Sequence, residues 1–220
     1  MRIFLIIIFV IPAACMFPAK EAGGQISIAP TSLYIHDDLN IGSLQVANGQ
    51  DGAREVSVSF KFGYPASDSS GNLIMVYDDT ITEANCGLSG HLRAFPRHFI
   101  LPPGSQQTVR IQVMPMADRR DGVYWTRLVV TSGRAPAEID EKAVPGAVGT
   151  RINYIFRQNI ALFYCRGNLS TGIVAGETET FIEDGKLILL QRLDHKGNSP
   201  FNGRVSARLF DSKGAELAFH

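Results

Sequence analysis

Few residues in this sequence are of the types that act in catalysis or bind metals, and those that are lie far apart along the chain. The five histidines are far apart, and the acidic pairs Asp37–Asp38 and Asp78–Asp79 lack the spacing of a dedicated calcium loop. Cys86 and Cys165 are not arranged as Cys-x-x-Cys, so no zinc-type ligand set is predicted. We therefore expect no catalytic residue, no metal, no cofactor and no small-molecule substrate, and the chain is predicted not to be an enzyme.

The charge balance narrows the kinds of partner. Lys plus Arg and Asp plus Glu both number 21, so the formal net charge is zero. Such a chain has no broad electrostatic attraction for nucleic acid or for an anionic membrane, and no nucleic-acid partner is expected. A partner would have to be held by shape, by apolar contact or by backbone pairing.

The first 24 residues have the pattern of an export signal. Met1-Arg2 is a short positive start, and the apolar run Ile3–Ala14 is too short for a membrane span, which needs about 20 residues. A cleavage after Gly24 is predicted because small residues precede it. Lipid attachment at Cys15 is the alternative.

Export bears on the two mature cysteines. In an oxidising compartment Cys86 and Cys165 are able to form one disulfide. Two buried free thiols are the other interpretation, and the sequence does not decide between them.

The mature chain consists of short segments that alternate between apolar and polar residues. The clearest are Val56–Phe62, Thr108–Met114 and Val123–Val130, with turn signals about every ten residues. This pattern predicts an all-β fold of the immunoglobulin-like sandwich type, with Trp125 in the core, and no helix is predicted. Pro30, inside the first apolar segment, predicts an edge strand or a strand that switches sheets.

The loops divide the chain into two predicted domains. We expect a long surface loop over Gly133–Thr150, a first domain over 25–166 and a linker over Gly167–Gly176. The second domain, 167–220, is short, because an immunoglobulin-like domain needs about 100 residues. It is therefore predicted to be incomplete, as in a truncated chain or a degenerate domain that needs a partner.

Three segments, in their order and spacing, carry a resemblance to a known family. They are Phe95–Ile111, Asp121–Leu128 and Ile160–Tyr164, and together the chain resembles the periplasmic chaperones of the chaperone–usher pilus pathway. The resemblance implies a periplasmic protein of two immunoglobulin-like domains whose partner is a pilus or fimbrial subunit, with an outer-membrane usher as a further partner. It also implies donor-strand complementation without ATP, in which the chaperone lends a strand to a subunit that lacks one.

The resemblance also implies which residues are lent. Ile152, Tyr154 and Phe156 alternate at the matching place, and a donor strand needs large apolar side chains at every second position. Alternation alone would equally place these residues in the core of their own domain.

One departure from the family concerns the terminal carboxylate of the subunit. The family holds it with two cations, but the aligned positions here are Ser32 and Ala161, which cannot bind a carboxylate as Arg and Lys do. Arg157 and Arg166 are the candidate replacements. The alternative function is a structural or adhesive envelope protein built on the same sandwich, and an exposed donor edge would discriminate between the two.

Overall fold

The computed structural model describes residues 26–116, 118–135, 154–204 and 206–219, and most of these residues lie in β-strands. The predicted export signal, Ile152 and most of the predicted long loop lie outside the described residues. The all-β prediction is confirmed, because the elements other than strands are one short helix and one 3-10 turn.

One sheet of the sandwich has four antiparallel strands. Its strands, in spatial order, are β1 (Ser27–Ala29), β3 (Ile41–Ala47), β9 (Gln106–Val113) and β7 (Leu92–Phe95). The alternation read from the sequence is visible in β9, where Val109, Ile111 and Val113 are buried and the residues between them are exposed. This face packs on the second sheet.

The second sheet has five strands. In spatial order they are β2 (Ser32–His36), β11 (Phe156–Arg166), β10 (Gly122–Arg134), β4 (Arg54–Lys61) and β8 (His98–Leu101). The pairing of β2 with β11 is parallel, and the other pairings are antiparallel. Because β1 and β2 flank Pro30 and belong to different sheets, the predicted sheet switch is confirmed. The order of the strands and the switch make this an immunoglobulin-like sandwich.

The core lies between these two sheets. Leu128 of β10 is the direct partner of Ile160 of β11, and both belong with Val130 and Leu162 to one large hydrophobic cluster drawn from both sheets. Leu162 has no exposed surface. Burial of a side chain of this size stabilises a fold by about 1.5–3 kcal/mol.

An excursion between β4 and β7 carries the helix that the sequence analysis missed. It contains a hairpin of β5 (Tyr64–Ser67) and β6 (Leu73–Val76), the helix α1 (Thr80–Cys86) and a 3-10 turn (Ser89–His91). No residue of α1 is buried, so the helix has no apolar stripe that a periodicity search would find. Its visible signal was the cap, because the Asp79 carboxylate accepts a hydrogen bond from the Thr82 N–H at 2.9 Å.

The remainder of the chain forms two separate ribbons. One pairs β12 (Thr171–Glu183) with β13 (Lys186–Gly197), and the other pairs β14 (Arg208–Phe210) with β15 (Glu216–Phe219). The predicted linker over Gly167–Gly176 is wrong from Thr171 onward. Its glycines are accommodated in an exposed ribbon, with a register shift between Ala175 and Thr178. After Arg166, none of the residues with a described burial is buried.

Candidate functional site

The outer edge of β11 is half covered. On one side, β10 pairs with β11 along its whole length, from Phe156 to Arg166. On the other side, β2 pairs only with Ala161–Cys165, and no strand within the described residues pairs with the edge from Phe156 to Ile160. Such an edge offers backbone N–H and C=O groups to another chain.

The predicted donor side chains lie at this uncovered end. Phe156 shares the core-facing side of β11 with Ile160 and Leu162, and it is half-buried, whereas Tyr154 is 64 % exposed. The rings of Tyr154 and Phe156 are stacked, with centroids 6.3 Å apart. These two residues therefore continue the core row beyond the sandwich instead of being sealed within it. Ile152 lies outside the described residues, and the donor role stays a prediction.

The two positions aligned with the family's cations are brought together. Ser32 and Ala161 are direct partners in the pairing of β2 with β11. Ala161 in turn pairs with Arg127 on β10, and Arg127 pairs with Lys61 on β4. Directly opposed side chains lie on the same face of a sheet with neighbouring Cβ atoms about 5 Å apart. A row of four residues therefore crosses the sheet, and two of its members are cations.

Sequence reasoning missed Arg127 and Lys61. Each lies far from Ala161 in sequence, and only the strand order places them in its row. The available signal was modest. Arg127 stands between Thr126 and Leu128, which are buried, and the alternation of a strand then places it on the outward face.

Two members of the row, Ala161 and Arg127, line a cleft of about 800 Å³ on the outer face of the five-stranded sheet. Its walls from the sheet are aromatic: Tyr34 stacks on Phe163 with centroids 4.9 Å apart, and Trp125 meets Tyr64 edge to face at 6.5 Å. The facing wall is the segment 198–202, which follows β13. The expectation that Trp125 is a core residue is therefore wrong, because it faces this cleft and not the interior of the sandwich.

Arg127 brings one positive charge of the row into the cleft, and no Asp or Glu of the described residues lines it. The ion pairs formed within the described residues are His98–Glu55 and Arg192–Asp194, so neither Arg127 nor Lys61 takes part in one. Arg127 is half-buried and its Nη2 lies 3.8 Å from the Met75 sulfur, while Lys61 Nζ lies 4.8 Å from the centre of the Tyr77 ring. Because apolar walls lower the local dielectric, a carboxylate entering the cleft would be attracted more strongly than in water.

The two predicted replacement anchors are not brought to Ala161. Arg157 is on the same face of β11 but four residues away, which is about 13 Å along a strand, and it is exposed. Arg166 is on the opposite face, and its guanidinium donates a hydrogen bond to the Met116 carbonyl. Neither residue lines the cleft.

Both cysteines line the cleft, and both are free thiols. Burial raises the pKa of each thiol above its ordinary value. They lie on opposite edges of β10, because Cys165 pairs with Val123 whereas Gly87, the neighbour of Cys86, bridges to Trp125 on the other edge. Strands on either side of a third are about 9.5 Å apart, and the Cα atoms of a disulfide are at most about 6.8 Å apart.

Asp79, of the acidic pair Asp78–Asp79, is held by hydrogen bonds from neighbouring residues. Its carboxylate accepts hydrogen bonds from the Thr82 hydroxyl at 2.6 Å and the Tyr64 hydroxyl at 2.7 Å. These bonds, with that from the Thr82 N–H, lower the pKa of Asp79 to about 2.

Across the described parts of the chain, no three His, Cys, Asp or Glu residues are grouped to hold a metal ion, and no helix is long and apolar enough to cross a membrane.

Comparisons with known proteins found no match to a family model and none to a curated protein sequence. Solved structures do match. A chain of the CsuC–CsuE chaperone–tip adhesion subunit complex from archaic Csu pili of Acinetobacter baumannii is 14 % identical, with a TM-score of 0.47 and 89 % of this chain and 85 % of that chain covered.

Two further matches are similar in extent. The periplasmic chaperone SfaE is 10 % identical, with a TM-score of 0.45 and coverage of 89 % and 98 %. The Salmonella enterica complex of the SafA pilin with the SafB chaperone gives 17 % identity, a TM-score of 0.45 and coverage of 89 % and 94 %. The strand order and register described above define the sandwich independently of these similarities.

Proposed function

We propose that this chain is an ATP-independent chaperone of pilus-type subunits that lends the outer edge of β11 to a subunit lacking a strand. The observation that carries the proposal is the edge from Phe156 to Ile160, with which no strand of the described residues pairs, beside two large aromatic side chains that continue the core row outward. The resemblance read from the sequence supports the same role.

The pairing itself supplies the free energy in this mechanism. A client strand would satisfy the free backbone groups of β11, and the side chains of Tyr154 and Phe156 would fill the gap in the core of the client. Each buried side chain of this kind contributes about 1.5–3 kcal/mol before the cost of ordering is subtracted. No nucleotide is needed for such an exchange.

The geometry of β2 suggests how the client would be oriented. A client strand that runs parallel to β11, as β2 does, would have its carboxyl end beside Ala161, where β2 begins at Ser32. Arg127 lies in the next strand at the same level, with Lys61 beyond it. We propose that Arg127, assisted by Lys61, binds the terminal carboxylate of the client in place of the cations that the family has at Ser32 and Ala161.

The site of action follows from the predicted export signal. We propose that residues 1–24 are removed and that the chaperone acts in the periplasm, with lipid attachment at Cys15 as the alternative. An outer-membrane usher is the proposed recipient of the subunit.

Co-purification with pilus subunits tests the proposal. A subunit lacking its last strand should co-purify with the unaltered chain, whereas the same subunit with its missing strand fused to its own end should not, because its groove is already filled. The double variant Tyr154→Ser, Phe156→Ser should lose the complex. Leu169→Ser is the matched control, because Leu169 is an exposed apolar residue beyond the end of β11.

Unfolding curves of the double variant decide how a loss is interpreted. Loss of binding with an unchanged unfolding midpoint supports the lent edge. Equal binding of the open and the self-complemented subunit, or unchanged binding by the double variant, would contradict it and would favour the structural or adhesive role.

A further inference from the structure

Asn198 joins the facing wall of the cleft to the strands that carry the charged row. Its side-chain Nδ2 donates to the carbonyls of Asp121, at 3.1 Å, and Asn168, at 2.9 Å. Its Oδ1 accepts from the Ser170 N–H at 2.8 Å. Its backbone N–H donates to the Ser170 carbonyl at 3.0 Å, and its carbonyl accepts from the Val123 N–H at 2.9 Å.

Three of these five bonds are made by the side chain, and they require both the donor and the acceptor of a carboxamide. Asp121 directly precedes β10 and Val123 lies at its start, while Asn168 and Ser170 follow the end of β11. An aspartate at position 198 would keep the acceptor but lose both donors, and an alanine would lose all three side-chain bonds. The side chain therefore ties three segments together in one orientation.

The backbone around Asn198 leaves little room for another arrangement. Gly122 has a φ of 154°, and a Cβ atom there would lie 3.1 Å from the Asn198 carbonyl oxygen. Gly167 has a φ of 59°, and a Cβ atom there would collide with the Asp121 carboxylate. The Oδ2 atom of that carboxylate accepts a hydrogen bond from the Asn168 N–H at 3.0 Å. Two glycines thus allow the close approach that the bonds of Asn198 require.

The position of Asn198 has a direct consequence for the cleft. The wall segment begins at Asn198 and continues through Pro200 and Phe201. The opposite wall carries Arg127 and Ala161, on the strands whose ends Asn198 binds. The separation of the two walls is therefore set at this junction.

We propose that Asn198 is a positioning residue that fixes the width of the cleft, so that a terminal carboxylate meets Arg127 at hydrogen-bond distance. This inference rests on the proposed function for its ligand. The geometric part, that Asn198 holds the wall against β10 and β11, is a property of the unliganded protein.

The first measurement needs no client. Trp125 is the one tryptophan of the chain and lines the cleft, so its fluorescence reports on access to that space. We expect Asn198→Ala and Asn198→Asp to increase acrylamide quenching of Trp125 about twofold. Asn72→Ala is the matched control, because Asn72 also makes a side-chain hydrogen bond, to Asp68, but does not line the cleft, and it should leave the quenching unchanged.

The second measurement uses a defined probe. An acetyl-capped peptide of alternating valine and threonine that ends in phenylalanine would be titrated with a free carboxylate and as the carboxamide. We expect the unaltered chain to prefer the carboxylate by about tenfold or more, as for a hydrogen bond to a charged group. The Asn198 variants should reduce this preference towards one, whereas a loss of stability alone would weaken both peptides equally.

The outcomes separate the two proposals. Increased quenching together with a lost carboxylate preference supports the positioning role. Unchanged quenching in Asn198→Asp, which keeps the size and shape of the side chain, would overturn it whether or not the peptides bind. If the unaltered chain binds neither peptide, the proposed client site fails while the quenching result still decides the role of Asn198 in the cleft.

Discussion

Ser32 and Ala161 face each other across the parallel pairing of β2 and β11, and Arg127 is the partner of Ala161 on the other side. The hydroxyl and the methyl group thus occupy the places where the resembling family has two cations. The positive charge of the same row is found one and two strands further across the sheet, at Arg127 and Lys61.

Replacement of Arg127 tests whether the charge acts as an anchor. Arg127→Gln should remove the preference for a free carboxylate over a carboxamide, a loss of about tenfold or more, because a charge-assisted hydrogen bond becomes a neutral one. Arg157→Gln is the control, because Arg157 lies about 13 Å along β11 from Ala161. Titration of both peptides measures the effect. An equal loss in both variants would point to net charge rather than to this site.

A cation introduced at Ala161 should lower the stability of the unaltered chain and restore carboxylate binding in the Arg127→Gln variant. In the unaltered chain, Ala161→Lys places a charge directly opposite Arg127 and should lower the free energy of unfolding by about 0.2–1 kcal/mol. In the Arg127→Gln background the same lysine should restore carboxylate binding, because it returns a cation to the row. Urea unfolding and peptide titration measure the two effects. Absence of rescue would argue that the row does not receive the carboxylate.

Tyr154, one of the proposed donor residues, should contribute little to the stability of its own domain. Leu162→Ala, at a position without exposed surface, should cost about 2–5 kcal/mol through lost burial and the cavity left behind. Tyr154→Ala should stay within about 0.5 kcal/mol, because Tyr154 is largely exposed. Denaturant unfolding of the two variants gives the comparison. A large cost at Tyr154 would mean that this ring belongs to the core of its own domain.

Asp79 should make the stability depend on pH in the acid range. Its folded pKa is about 2, below the ordinary value of 3.8, because the Thr82 and Tyr64 bonds favour the carboxylate. The stabilisation is therefore present above about pH 4 and is lost as the pH falls towards 2. Urea midpoints at pH 6 and pH 2.5 should differ more for the unaltered chain than for Asp79→Asn. Parallel pH profiles would show that the bonds contribute nothing measurable.

The two cysteines should be recovered as thiols. Since they lie on opposite edges of β10, closing a disulfide would require the end of α1 to move across that strand. Alkylation in denaturant without reductant should label both Cys86 and Cys165, as read by mass spectrometry of the purified protein. A mass that shows no alkylation without reductant would establish the disulfide and would require a different path for the chain after α1.

The sequence predicts the sandwich well because half-exposed strands repeat every two residues. The alternation of Val109, Ile111 and Val113 predicts a buried face without any knowledge of the partner strand. The sheet switch at Pro30 is predicted for a similar local reason, since a proline lacks the N–H that an inner strand needs.

The row of Ser32, Ala161, Arg127 and Lys61 cannot be predicted from local sequence in the same way. Its members are brought together by three strand pairings that are distant in sequence, and no local pattern specifies which strands are neighbours. Trp125 illustrates the same gap, because an aromatic residue in a strand suits a core and the wall of a cleft equally well. The helix α1 was missed because none of its seven residues is buried and they carry no apolar period.

The first residue of β2 sets a length limit on what can be exchanged. From Phe156 to Ile160 the stretch that pairs with no described strand is about 13 Å long, and from Ser32 onward the place beside β11 is taken by β2. A guest strand that runs along this stretch must leave the sheet at Ser32 or displace β2. The start of β2 therefore limits how far a guest strand can pair along β11, and moving Pro30 along the sequence should shift that limit.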